Sequence, residues 1–319
     1  MSRTWLHAML ARLTAPPGAS APVPDRPAAA ERLAARIAAR AWRRSGVDAE
    51  TAADIRAKAA AAIAAGVPLG FAVPFGGYKG PRQPAAPHID WAELFWIAHL
   101  RAYAETLAAL HAPGVVISLS YFHGVLGGIN RLPQSDQDRY IQGLRALLAH
   151  YSDARIRFEL IDLSALFGGP AGAVAAIERR YDELRRSGAE PPGPALRSAA
   201  RNVMHDHASE AVIREAALRC LAMESLEERR RFNKFGPRIQ ITHIRGASLS
   251  LHLGSCATSI HQPWVGTGVL EGDGAGGWRP RIVNGGAIQP GAWVEVAHKL
   301  QGLSPALGRI GLLQEGASD

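Results

Sequence analysis

The run Gly76-Gly77-Tyr78-Lys79-Gly80-Pro81-Arg82 collects the residue types that an anion site needs. Glycine permits positive φ and close backbone approach, so successive N–H groups can converge on a negative group. Lys79 and Arg82 add charge to such a nest, with Gly76 and Gly77 as its floor. The spacing matches neither a P-loop nor a dinucleotide fingerprint, and a Gly/Pro surface turn with solvated cations is the plain alternative. Asp90 and Glu93 follow, three apart and therefore on one face of a helix. They can orient Lys79, hold a substrate amine or move a proton, or they can cap a helix as an Asp version of the capping box. Glu93 precedes Leu94 and Phe95, and a carboxylate in apolar surroundings requires a partner.

The twelve histidines raise the question of a metal. His205 and His207 share a side only on a strand, and His243, His252 and His261 lie nine apart. None of this is a familiar zinc spacing, so no metal is expected. Cys220 and Cys256 are too few for a disulfide framework or a four-thiolate site and are read as small buried hydrophobes. Gly254 to Ser259 lacks the Gly-x-Ser-x-Gly elbow, so a structural turn is expected there. Trp264 can wall a pocket or pack in the core.

The elements that must position these residues can be read from pattern. Leu69–Pro74, Val115–Ser120 and 155–163 are short apolar runs that predict buried strands. Helices are predicted at Ala29–Arg44, Ala49–Ala65, Asp90–Leu110 and 136–150, with Gly66 as a stop. This alternation predicts an α/β fold, a Rossmann-like and mostly parallel sheet covered by helices, with ligands at the carboxyl ends of its strands. Residues 171–234 form a helical insertion broken at 188–194, and residues 237–300 a β-rich segment with a hairpin turn at Asp273–Gly277. Residues 1–27, with Pro16, Pro17, Pro22, Pro24 and Pro27, are expected to be a flexible tail. Residues 28–319 are expected to be a single catalytic domain.

No run approaches the roughly 20 apolar residues of a membrane span. His7 and Arg12 interrupt the apolar stretch of Met1 to Leu13, so a disordered or helical leader and a cytoplasmic protein are expected rather than a secretory signal. Over 319 residues the formal charge is +8, spread over Ala-rich helices rather than gathered in a nucleic-acid motif. That balance fits a small anionic substrate better than nucleic acid or a membrane.

Taken in order, several segments resemble the isonitrile (isocyanide) synthases of the pyoverdine/dityrosine biosynthesis family. They are Val73-Pro74-Phe75, Lys79-Gly80-Pro81-Arg82, Asp90-Trp91-Ala92-Glu93, His111-Ala112-Pro113-Gly114, Ile241-Thr242-His243 and Pro263-Trp264-Val265. The likeness spans roughly residues 68–285 and has departures. Arg82 stands where the family has Asn, Val265 where it has His, and Ser120-Tyr121-Phe122-His123-Gly124 lacks the family's Ser-Asp-Gly aspartate. The resemblance implies an enzyme that converts the α-amine of an amino acid to an isonitrile, with ribulose 5-phosphate supplying the carbon and no metal or redox cofactor. It implies acid–base roles for Glu93 and His243 beside Lys79, and a sugar-phosphate site at Gly76, Gly77, Lys79 and Arg82. Asp90, Ser120, His123 and Trp264 would complete the substrate site, and Arg238 or Arg245 would hold a carboxylate. Another amine- or carbonyl-modifying reaction on the same scaffold, or a small-molecule binding protein, stays open; so does the oligomeric state.

Overall fold

Strand β1 (Leu69–Pro74) is nearly continuous in apolar character because both its faces are covered. It pairs in parallel with β2 (Val115–Tyr121) and β4 (Ile239–Gln240), and β2 pairs in parallel with β3 (Ile156–Asp162). The strand order is β3-β2-β1-β4. This computed structural model describes residues 3–15, 29–43, 45–204, 208–242, 249–251, 263–274, 277–283, 288 and 291–313. The fold is α/β, as expected, with a second, mixed sheet near the C-terminus.

Helix α4 (Trp91–Ala108) covers one face of the parallel sheet, and its buried Leu100, Tyr103, Ala104 and Leu107 meet Phe71 and its neighbours. Tyr103 packs edge-on to Phe71 at 5.9 Å and donates from its hydroxyl to the Ile37 carbonyl at 3.0 Å. Helices α1 (Arg3–Thr14), α2 (Ala29–Ile37), α3 (Ala49–Ala65), α5 (Val125–Ile129) and α6 (Gln134–His150) complete the framework around the sheet. α3 begins at an Asp48 cap and ends on Gly66 in the left-handed region, as the sequence predicts. Helices α7 (Pro170–Arg186), α8 (Gly193–Asn202), α9 (Glu210–Ser225) and α10 (Glu227–Arg230) form the expected helical stretch. α10 runs into a turn of π-helix, Arg231–Phe235.

The expected tail needs correction at its start. Leu6, Met9 and Leu10 recur at helical spacing and are buried in the main core. His150 Nε2 lies 3.1 Å from the Thr14 carbonyl, and the Tyr151 hydroxyl donates to that of Leu13. The prolines begin at residue 16, and the apolar residues before them keep helical spacing. Among the described residues, no helix is long and apolar enough to cross a membrane.

The second sheet has the order β6-β5-β8-β7 and is built from β5 (Thr267–Gly272), β6 (Trp278–Val283), β7 (Trp293–Glu295) and β8 (Arg309–Leu313). β5 and β6 form the predicted hairpin, closed by Asp273 N to the Gly277 carbonyl at 3.0 Å. β8, which pattern reading passed over, lies in parallel beside β5 and antiparallel to β7. The run from Ile239, expected within the β-rich segment, instead adds β4 to the edge of the parallel sheet. At Gly268 a Cβ atom would stand 2.2 Å from the backbone of Trp91 and Ala92, so β5 lies directly on the first turn of α4.

Candidate active site

After Pro74 the chain leaves the sheet, with Phe75 N bonded to the Ser120 carbonyl at 3.0 Å. The two glycines that follow are buried against aromatic rings. A Cβ on Gly76 would lie 2.7 Å from Trp264 Nε1, and one on Gly77, at φ +76°, 2.8 Å from the Tyr121 ring. The tight turn directs Lys79 inward. Its Nζ donates to Asp90 Oδ1 at 2.9 Å, to Glu93 Oε2 and Oε1 at 2.9 and 3.0 Å, and to the Pro263 carbonyl at 3.1 Å. The Lys79 and Glu93 side chains are 0% exposed.

Both acids are held by the helix start. Asp90 Oδ1 accepts from Ala92 N at 2.7 Å, and Glu93 Oε2 accepts from Asp90 N at 2.8 Å, a reciprocal capping box. A further donor comes from α6, where the Tyr140 hydroxyl lies 3.0 Å from Glu93 Oε1. One geometry thus both caps the helix and orients Lys79.

Two buried carboxylates face one buried ammonium. Burial pushes Glu93 up to about 8; the Lys79 charge opposes this and the Asp90 charge adds to it. Burial also works against the Lys79 charge, but Asp90 and Glu93 outweigh it and hold its pKa above the ordinary value. Burial raises Tyr140 well above the ordinary phenol, and the Glu93 charge adds to that. The cluster can therefore keep one shared proton near neutral pH. Beside it is a cavity of about 190 Å³ whose wall includes Tyr78, Lys79, Leu132, Gln137 and Met204. The Tyr78 hydroxyl accepts from Asn130 Nδ2 at 3.1 Å.

The expected anion nest is not assembled. The Lys79 protons are taken by carboxylates and a carbonyl, Gly76 and Gly77 serve ring packing, and Arg82 is exposed. Trp264 joins the cluster as packing, 5.7 Å from Phe75 and 6.4 Å from Trp96, while its carbonyl accepts from Gly80 N. Ser120 and Arg238 are not brought to the cluster: alternation along β2 sends Ser120 to the other sheet face, and Arg238, just before β4, lies against Gly70 at the start of β1. Ser120 Oγ donates to Asn233 Oδ1 at 2.6 Å; Arg238 Nε reaches Ser118 Oγ at 3.3 Å and its guanidinium lies 4.5 Å over Phe232. His123 sits at the carboxyl edge of the sheet, with Nε2 3.3 Å from Asp138 Oδ1 and 3.1 Å from Gln134 Nε2. The His111–Gly114 motif lies at the opposite strand edge, where Gly114 avoids a 2.0 Å contact with the Arg155 carbonyl.

His243 and Arg245 lie outside the described residues, as do His205, His207 and Cys256. Among the described residues, no group of three or more His, Cys, Asp or Glu is placed to hold a metal ion. Sequence reasoning missed Tyr140 and Asn233. Tyr140 carries the helical phase of Ile141, Leu144 and Leu148 and reads as core; Asn233 reaches Ser120 from the π-helical turn, which spacing does not announce.

No family model matches the chain, and no curated protein does. Among solved structures, the fold is similar to the crystal structure of the PvcA protein from Pseudomonas aeruginosa, with a TM-score of 0.58. That similarity covers 88% of this chain and 99% of PvcA at 18% sequence identity, a likeness of fold.

Proposed function

We propose that this chain is a divergent isonitrile-synthase-like enzyme of specialised metabolite biosynthesis, modifying the α-amine of an amino acid with ribulose 5-phosphate as carbon donor. One observation carries the reading. Val73-Pro74-Phe75, Lys79, Asp90–Glu93 and Pro263-Trp264, four of the six segments on which the sequence resembles that family, converge on one buried cluster although they are far apart in the chain. The fold shared with PvcA, a protein of the pyoverdine-dityrosine/isonitrile synthase family, supports the same reading.

Condensing an amine with a ketone requires one proton removed from the ammonium and one delivered to the departing hydroxyl. A carboxyl pushed up to about 8 suits both directions near neutral pH. In this reading Glu93 is the proton store, Tyr140 and Lys79 are its contacts, and Asp90 keeps Lys79 charged. The test is incubation of the purified chain with ribulose 5-phosphate and a panel of amino acids, followed by mass analysis. An isonitrile mass is expected from at least one amino acid, and its loss in Glu93→Gln. Consumption of the amino acid without isonitrile would instead assign another amine-modifying reaction, for which the absent Ser-Asp-Gly aspartate speaks. A second reading, a non-catalytic small-molecule binding protein, is favoured by the zero exposure of Lys79 and Glu93. It predicts ligand-induced thermal stabilisation with no product.

A further inference from the structure

A larger cavity, of about 350 Å³, opens between α5, α7 and α9. Its apolar wall includes Val125, Ile129, Ile177 and Val212, together with Val174, which is 43% exposed. Four charged residues line the same space, Arg131, Arg219, Glu178 and Glu215, two of each sign. Arg219 is committed: its guanidinium donates to Glu178 Oε1 at 2.7 Å, pairs with Glu215 Oε1 at 2.9 Å, and lies 4.4 Å over the Tyr181 ring. The two glutamates are shared by that one cation and are 41% and 38% exposed, so each keeps lone pairs for another donor.

Arg131 is different. It follows α5 at φ 59°, a left-handed conformation that favours glycine. Its N–H closes on the Gly128 carbonyl at 3.0 Å and Leu132 N on that of Gly127 at 2.8 Å, the closing pattern in which glycine is the usual residue. Arg131 is exposed, and among the described residues its guanidinium has no hydrogen-bond or ion-pair partner. A strained position occupied by an arginine that lines a cavity points to a use for the side chain. Gly128, on the same short helix, faces open space where its Cβ would be.

We propose that this cavity binds a small zwitterion with an apolar body. Its carboxylate would meet Arg131, its ammonium Glu178 and Glu215, and its hydrocarbon part the valine and isoleucine wall. A neutral sum of charges around an apolar floor rejects a simple anion and a simple cation alike, because either leaves one sign unpaired. The site is separate from the Lys79 cluster and the proposal does not depend on the chemistry assigned there.

The probes are L-tryptophan, tryptamine (no carboxylate) and indole-3-propionate (no amine), titrated by calorimetry into the full chain. Tryptophan is expected to bind, and each single-charge analogue to bind at least about tenfold more weakly. Arg131→Gly is expected to weaken tryptophan binding by about tenfold while raising the melting temperature by about 2 °C, since it relieves the left-handed arginine. Gly128→Leu is expected to fill the cavity and remove binding without lowering the melting temperature. Equal binding of the three probes, no binding of tryptophan, or tryptophan binding unchanged in Gly128→Leu would each overturn the proposal. Loss of binding in Lys79→Met but not in Gly128→Leu would place the ligand at the Lys79 cluster instead.

Discussion

The parallel sheet and the mixed sheet each bury a charged cluster, and the two are built with opposite excess. At the parallel sheet, Asp90 and Glu93 surround one ammonium, Lys79, which gives a surplus of acid. At the mixed sheet, Glu271 is 2% exposed and accepts from Arg279 at 2.9 Å and from Arg281, which gives a surplus of guanidinium. Guanidinium does not release protons in the working range, and the second cluster acts as a cross-strand tie. The surplus carboxylate of the first has two states of similar energy. Burial alone does not make a site reactive; the sign of the excess charge decides whether a proton can be exchanged.

The sharpest way to break this contrast is Lys79→Met. It leaves two buried carboxylates without a cation and is expected to cost about 3–5 kcal/mol in urea unfolding. Glu271→Gln is expected to cost less, about 2–3 kcal/mol, because Arg279 is 40% exposed and can turn to water. A pH series separates the two clusters more cleanly. Glu93 titrates at about 8 in the folded chain against its ordinary 4.5, so between those values the folded state holds a proton that the unfolded state has lost. Stability from this source is therefore full below pH 4.5, falls as pH rises through the window, and levels off above about 8. Glu93→Gln should abolish that decline and Glu271→Gln should leave it in place; a decline that persists in Glu93→Gln would remove the proton from Glu93. Tyr140→Phe takes one donor from the ionised form, so about 1 kcal/mol is lost and the inflection moves upward. The smallest effect is expected for Arg279→Gln, within about 1 kcal/mol, since a half-exposed ion pair contributes little.

The strands of the parallel sheet were legible because each is an apolar run bounded by turn residues, and the spacing of Asp90 and Glu93 was enough to place both acids on one helix start. The fate of Lys79 was not legible. Its sequence neighbours, glycines and a proline, suit an open loop as well as a closed one, and only the ring of Trp264 over Gly76 shows which was built. Tyr140 was hidden for a related reason: an aromatic at core phase reveals nothing about what its hydroxyl touches. The helix at residues 3–14 left a visible trace in Leu6, Met9 and Leu10, and β8 a weaker one in Ile310 and Leu312. The side taken by Ser120 follows from strand alternation once the register is known, which spacing alone does not supply.

The absence of a side chain at Gly268 has a mechanical result. Any side chain there would collide with the Ala92 amide that holds Asp90, so a residue larger than glycine at 268 must displace the helix start that carries both acids.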